Sequence, residues 1–257
     1  MSIYQHFRKE EKVFIDSCLQ WRSYVEKYYS PKLTTFLTPR EQQIVSALIG
    51  KNNECKVQFF GGHVNAERKR AIIYPEYYEL SDADFEITLL NVSYNQKFNE
   101  LQHRQILGTL MSLGLTRDKF GDVLIADGDV QILVAEDISE YVTANVVKIG
   151  SAGCKLSRLQ LVNAILVENN WQESTTTASS LRIDSILSSM TNFSRNKAQE
   201  WIDSGKVKVN HEDIEERDFE CGTADLISVR GLGRFKIISI EGKTKKDKLR
   251  IKFGKLK

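Results

Sequence analysis

Near the start of the chain, apolar residues recur at three- and four-residue steps. Phe7, Val13, Phe14, Cys18, Trp21, Val25 and Tyr28 keep this rhythm until Pro31 stops it. The spacing predicts an amphipathic helix. A second helix is expected in "TPREQQIVSALIGK". Thr38 can cap it, Pro39 suits its first position and Glu41 completes a capping box. "KVQFF" and "AIIYP" read as strands around "GGHVNAERKR". The rhythm then changes. "DFEITLL" reads as a strand, "HRQILGTLMSLGL" as a helix and "GDVLIADGDVQILVA" as a hairpin turning at Asp127-Gly128. "EDISEYVTANVV" returns to helix, and a last strand is expected within Cys154–Val167. This succession predicts a split-βαβ sandwich.

"ESTTTASS" is polar and aperiodic, and reads as a linker from Glu173 to Ser180. Beyond it, Leu181, Ile183, Ile186, Leu187 and Met190 line one side of a short helix. Ser194 stands where an N-cap belongs, and Ala198, Trp201 and Ile202 form the apolar stripe of the helix that follows. Gly205 supplies a left-handed stop. "KVKVN" alternates, with Val207 and Val209 inward and Lys206 and Lys208 outward. "DLISVRGLGRFKIISI" reads as strand, turn and strand, with Arg230, Arg234 and Lys236 near the turn. The fold class expected is α+β in three parts. These are an N-terminal α+β domain (1–80), a split-βαβ domain (81–173) and a small C-terminal domain with a basic tail (181–257).

The composition suits a folded globular chain: 41% hydrophobic and 27% charged over 257 residues. No apolar run is long enough for a membrane helix, and "MSIYQHFRKEEKVFID" lacks a signal-peptide core. A cytoplasmic protein is expected. Cys18, Cys55, Cys154 and Cys221 are far apart, as are the four histidines, so no metal site, disulfide framework or cofactor is expected. The net charge of +2 conceals a gradient. From Leu181 onward there are 17 basic and 12 acidic residues, and "EGKTKKDKLRIKFGKLK" alone has eight against two. A basic C-terminal end is a surface for a polyanion. The apolar residues alternating in that tail, Leu249, Ile251, Phe253 and Leu256, also allow it to pair as an edge strand with a protein partner.

Arg195 and Lys197 sit in the first turn of their helix, where the helix dipole favours acids. They make sense if a phosphate is received at that end. The ordered pattern "LRID…SRNKAQEWIDSGKVKVN…ADLISVRG" resembles the S4 domain, the RNA-binding domain named after a small-subunit ribosomal protein. The resemblance implies binding of structured RNA through Arg182, Ser194, Arg195, Lys197, Lys206, Lys208 and Asn210, with Arg230 and Arg234 as additions. "FLTPREQQIVSALIG", "FFGGHVNAERKRAIIYP" and "LGLTRDKFGDV" are similar to the upstream parts of the bacterial YlmH family. In that family the middle part resembles an RNA-recognition fold. Here "KFGDVLIA" carries Phe120 and no second ring for base stacking. Arg68, Lys69 and Arg70, and separately Arg117 and Lys119, are either secondary RNA contacts or solvated loops.

The resemblance implies a ribosome-associated factor without catalytic residues or a small-molecule substrate. Its partners would be rRNA, tRNA and ribosomal particles, in particular the large subunit, in translation quality control and stalled-ribosome rescue. The alternatives are an RNA-modifying enzyme and a scaffold associated with cell division.

Overall fold

A computed structural model describes residues 7–8, 11–49, 55–167, 171–210 and 212–256. It separates into two compact units, Met1–Glu168 and Asn169–Lys257.

The first unit opens with helix α1 (Lys12–Tyr28), which ends where Tyr29 turns left-handed at φ 51°. Strand β1 (Lys32–Leu37) follows; its apolar residues Leu33, Phe36 and Leu37 do not alternate, so period-two spacing does not reveal it. Helix α2 (Pro39–Ile49) begins as expected. The Thr38 backbone donates to the Glu41 carboxylate at 2.6 Å, and the Glu41 N–H returns to the Thr38 hydroxyl at 3.3 Å. Strands β2 (Cys55–Phe60) and β3 (Lys69–Pro75) complete a three-stranded sheet with β3 in the centre.

Next come β4 (Ile87–Tyr94), α3 (His103–Met111), β5 (Phe120–Ala126), β6 (Asp129–Ala135), α4 (Glu136–Asn145), β7 (Lys148–Ile149) and β8 (Ala152–Leu159). Their sheet runs β5-β6-β4-β8-β7. With β6 lying between β4 and β5, this is the split-βαβ arrangement that the sequence predicts. Asp127 and Gly128 both take positive φ, at 52° and 88°, as the two-residue hairpin turn demands.

The two parts of this unit interlock. Phe36 and Ile72 enter the core of the second sheet beside Phe85, Leu89, Phe120 and Leu133. Arg70 is only 7% exposed. It donates to the carbonyls of Thr34 (2.8 Å), Phe85 (3.1 Å) and Glu86 (2.9 Å). Asp122 reaches back, accepting from the backbone N–H groups of Glu67 (2.7 Å) and Arg68 (3.1 Å), and lies 3.2 Å from Nε2 of His63. Gly121 is required here, because a Cβ would meet the Phe36 ring at 2.8 Å.

The second unit holds β9 (Trp171–Ala178), α5 (Ile183–Thr191), α6 (Arg195–Asp203), β10 (Val207–Val209), β11 (Glu212–Asp213), β12 (Leu226–Val229), β13 (Gly233–Lys243) and β14 (Leu249–Leu256). One six-stranded sheet runs β11-β10-β12-β13-β14-β9. Two expectations are corrected. The expected linker is strand β9, in register with β14 from Trp171↔Leu256 to Ala178↔Leu249. Threonines are β-branched and suit a strand despite their polarity. The basic tail is likewise no free strand for a partner, since β14 is paired on both sides within the chain. Ile183, Ile186, Leu187, Ala198 and Ile202 of the helices pack against Val207, Val229, Phe235, Ile237, Ile251 and Phe253 of the sheet.

Candidate nucleic-acid interface

The centre of the interface is Asp184, a residue that motif and charge did not single out. It lies in the first turn of α5 and has no solvent exposure. Burial alone would raise its pKa. Hydrogen bonds from Arg195, Arg182 and Gln199 outweigh burial and hold the carboxyl well below the usual range. Arg195 is bidentate, through Nε at 3.0 Å and Nη2 at 3.1 Å. Arg182 approaches with the same two atoms, each at 3.3 Å, and Gln199 donates at 2.9 Å. Both arginine side chains stay substantially exposed, at 39% for Arg182 and 48% for Arg195. Each turns its Nε/Nη2 edge to Asp184 and leaves Nη1 outside this clamp. A planar donor fixed in this way meets a phosphate with little ordering left to do.

The other candidates divide into outward and inward groups. Ser194 caps α6, its hydroxyl accepting the Lys197 N–H at 3.2 Å. Lys197 pairs with Glu200 at 2.7 Å on the exposed side of α6. Lys206 and Arg230 are exposed, and adjacent because the Arg230 N–H donates to the Lys206 carbonyl at 2.9 Å. Lys208 is paired with Asp213 at 2.9 Å. Arg234 lies on β13, across from Ser228.

Asn210 adopts φ 52°, donates to Asp225 at 2.9 Å and accepts from the Leu226 N–H at 3.0 Å. Its amide is spent tightening the turn after β10.

The secondary candidates are also largely structural. Arg68 (4% exposed) and Arg70 are buried in the seam of the first unit, and burial lowers both pKa values. Neither guanidinium is on the surface to receive RNA. Burial, with Arg68 nearby, also lowers Arg117, to about 10, and Arg117 donates to the carbonyls of Phe120 and Gly121. Lys119 pairs with Asp137. Lys69 is half-buried on β3. Among the described residues no group of three or more His, Cys, Asp or Glu could hold a metal ion. Among them, too, no helix is long and apolar enough to cross a membrane.

Three family models match the chain in succession. They are "YlmH, N-terminal" over residues 10–78, "Putative RNA-binding domain in YlmH" over 81–163 and "S4 domain" over 181–227. The ribosome-associated protein quality control protein P2 of Bacillus subtilis is 42% identical over 255 residues, covering 99% of each chain. The chain belongs to the YlmH family. The solved structure of the cell division protein YlmH from Streptococcus pneumoniae is 32% identical, with a TM-score of 0.56, and covers 64% of this chain and 100% of its own. The S4 model ends before β13 and β14 and begins after β9, so half of the YlmH sheet in this unit lies outside it.

Proposed function

We propose that the protein is an RNA-binding factor of the ribosome. In this reading it grips structured rRNA of the large subunit, together with tRNA, during quality control of stalled translation. The observation that carries the reading is the clamp at Asp184, which fixes two partly exposed arginine side chains beside the start of α6. The S4 match over this clamp supports RNA as the ligand, and the name of the Bacillus relative supports the ribosome as the setting. The C-terminal unit serves as anchor, while the upstream part, net acidic before Leu181, selects the particle. The reading assigns no catalytic step, cofactor or small-molecule substrate, and places the protein in the cytoplasm with the ribosomes.

Sucrose-gradient sedimentation of cell lysate tests it. The full-length protein is expected in the large-subunit fractions after translation is stalled. Arg182→Gln with Arg195→Gln, which keeps a neutral donor on each side of Asp184, should move most of it to the free fractions, with a thermal melt to show that the variant is folded. Wild-type protein confined to the free fractions would overturn the ribosomal setting.

A further inference from the structure

The helices α5 and α6 cover one side of the C-terminal sheet, and strand register identifies what stands on the other. Val207, Val229, Ile237, Ile251 and Phe253 alternate into the core. The positions between them face away. Lys208, Ser228 and Arg234 stand opposite one another across three strands. Lys236 is opposite Gly254, Lys252 is between Ser239 and Thr175, and Arg250 is opposite Thr177. Five cations therefore share the side turned away from the helices. The acids on that side include Asp213 and Glu173, which pair with Lys208 and Lys252. The side chains of Lys236 and Arg250 make no hydrogen bond or ion pair among the described residues.

An aromatic ring stands among these cations. Trp171 pairs with Leu256 at the end of β9 and lies outside the helix-side core. Its indole leans over Gly254: a Cβ there would meet Trp171 Cβ and Cε3 at 3.1 Å. Glycine thus leaves room for the ring to lie along the sheet, and Trp171 remains partly exposed. A ring on a rigid sheet, with Lys236 beside it and Lys252 and Arg250 further along β14, is the chemistry that holds unstacked bases and their phosphates.

We propose that this side of the sheet is a second RNA surface. Trp171 stacks on an unpaired base, while Lys236 holds the adjoining phosphate and Lys252 and Arg250 hold phosphates further along the strand. The proposal rests on the RNA-binding reading above but uses residues outside the S4-matched segment and across the sheet from the Asp184 clamp. It gives the RNA a stated character: a structured element presenting a loop or single strand.

The test is fluorescence anisotropy of the full-length protein with two labelled probes, an RNA hairpin with an unpaired loop and a fully paired RNA duplex. Trp171→Ala should weaken the hairpin about 5- to 100-fold and leave the duplex nearly unchanged, as loss of one stacked base implies. Trp171→Phe should keep most of the hairpin affinity. Replacing Lys236, Arg250 and Lys252 with Gln should weaken both probes. It should also flatten the salt dependence by about 0.7 to 0.9 for each phosphate no longer neutralised. Thermal melts establish that each variant is folded. Tryptophan emission provides a check that does not need the alanine variant. Hairpin RNA should quench the wild type, and Trp171→Phe should lose that component.

Unchanged hairpin affinity in folded Trp171→Ala, or quenching unaltered in Trp171→Phe, would overturn the proposal while leaving the Asp184 clamp standing. Displacement of the hairpin by polyglutamate at equal charge would reassign the surface to an acidic protein. A wild type that binds neither probe would overturn the RNA-binding reading itself.

Discussion

At the scale of single residues, the strongest determinant of the proposed RNA face is an acid. Asp184 has no exposure and three donors, so its ionised form is worth more folded than unfolded. The unfolded chain takes up the proton near the ordinary value of about 3.9, and the folded chain only lower. Stability from this group is therefore complete above that value and lost as pH falls through the folded pKa. Asp184→Asn should cost roughly 1–3 kcal/mol at neutral pH, by analogy with other buried hydrogen-bonded groups. It should also lessen the fall in urea midpoint between about pH 5 and about pH 3. RNA affinity should drop too, although Asp184 itself is covered, because Arg182 and Arg195 lose their shared anchor. The sequence held a sign of this: an aspartate directly follows Ile183 and precedes the apolar pair Ile186 and Leu187 of a short helix. A carboxylate at a buried position demands partners. One of the two buried arginines was legible too. Arg70 and Ile72 have one parity along β3, so an inward Ile72 takes Arg70 in with it, whereas Arg68 precedes the strand and its burial was not legible this way. Charge type alone would place them on the surface.

Among the elements, those with strong periodicity or a specific cap could be read directly: α1, α2, the β5–β6 hairpin, α5, α6 and β10. The strands that the sequence hid are β1 and β9. Neither has an apolar run, and β9 takes its register from β14 at the far end of its domain. Local pattern cannot encode a partner so distant. The consequence is measurable. A C-terminal fragment beginning at Leu181 lacks the strand that covers the edge of β14 and the Ala178 packing near Ile251. It should be less stable than a fragment beginning at Asn169 by at least ~2 kcal/mol, from lost apolar burial and an exposed sheet edge. Paired urea melts followed by circular dichroism would decide this. Equal midpoints would mean that β9 is dispensable.

For the whole molecule, charge is divided along the chain. From Leu181 onward the excess is +5, against −3 for the residues before it. Affinity for RNA should follow that division. A fragment spanning Asn169–Lys257 is expected to keep steeply salt-dependent binding to hairpin RNA, and Met1–Glu168 to bind at least ~10-fold more weakly at the same ionic strength. Retention of both fragments on immobilised RNA across a salt gradient checks this. Stronger retention of the upstream fragment would move the anchor to the split-βαβ sheet. The contrast also bears on what the sequence revealed of the site. The basic C-terminal bias was visible in composition, whereas its division between a helix-side clamp and an opposite sheet face depends on strand pairing.

The pairing of β9 with β14 has a consequence for how the protein is made. The chain leaves the ribosome from its N-terminus, so β9 emerges while β14 is still to be synthesised. No amount of early folding by α5 and α6 can give β9 its neighbour. The C-terminal sheet closes only once β14 has been synthesised and has cleared the ribosome. A nascent copy stalled before β14 would leave Trp171 and one edge of β13 without their neighbours.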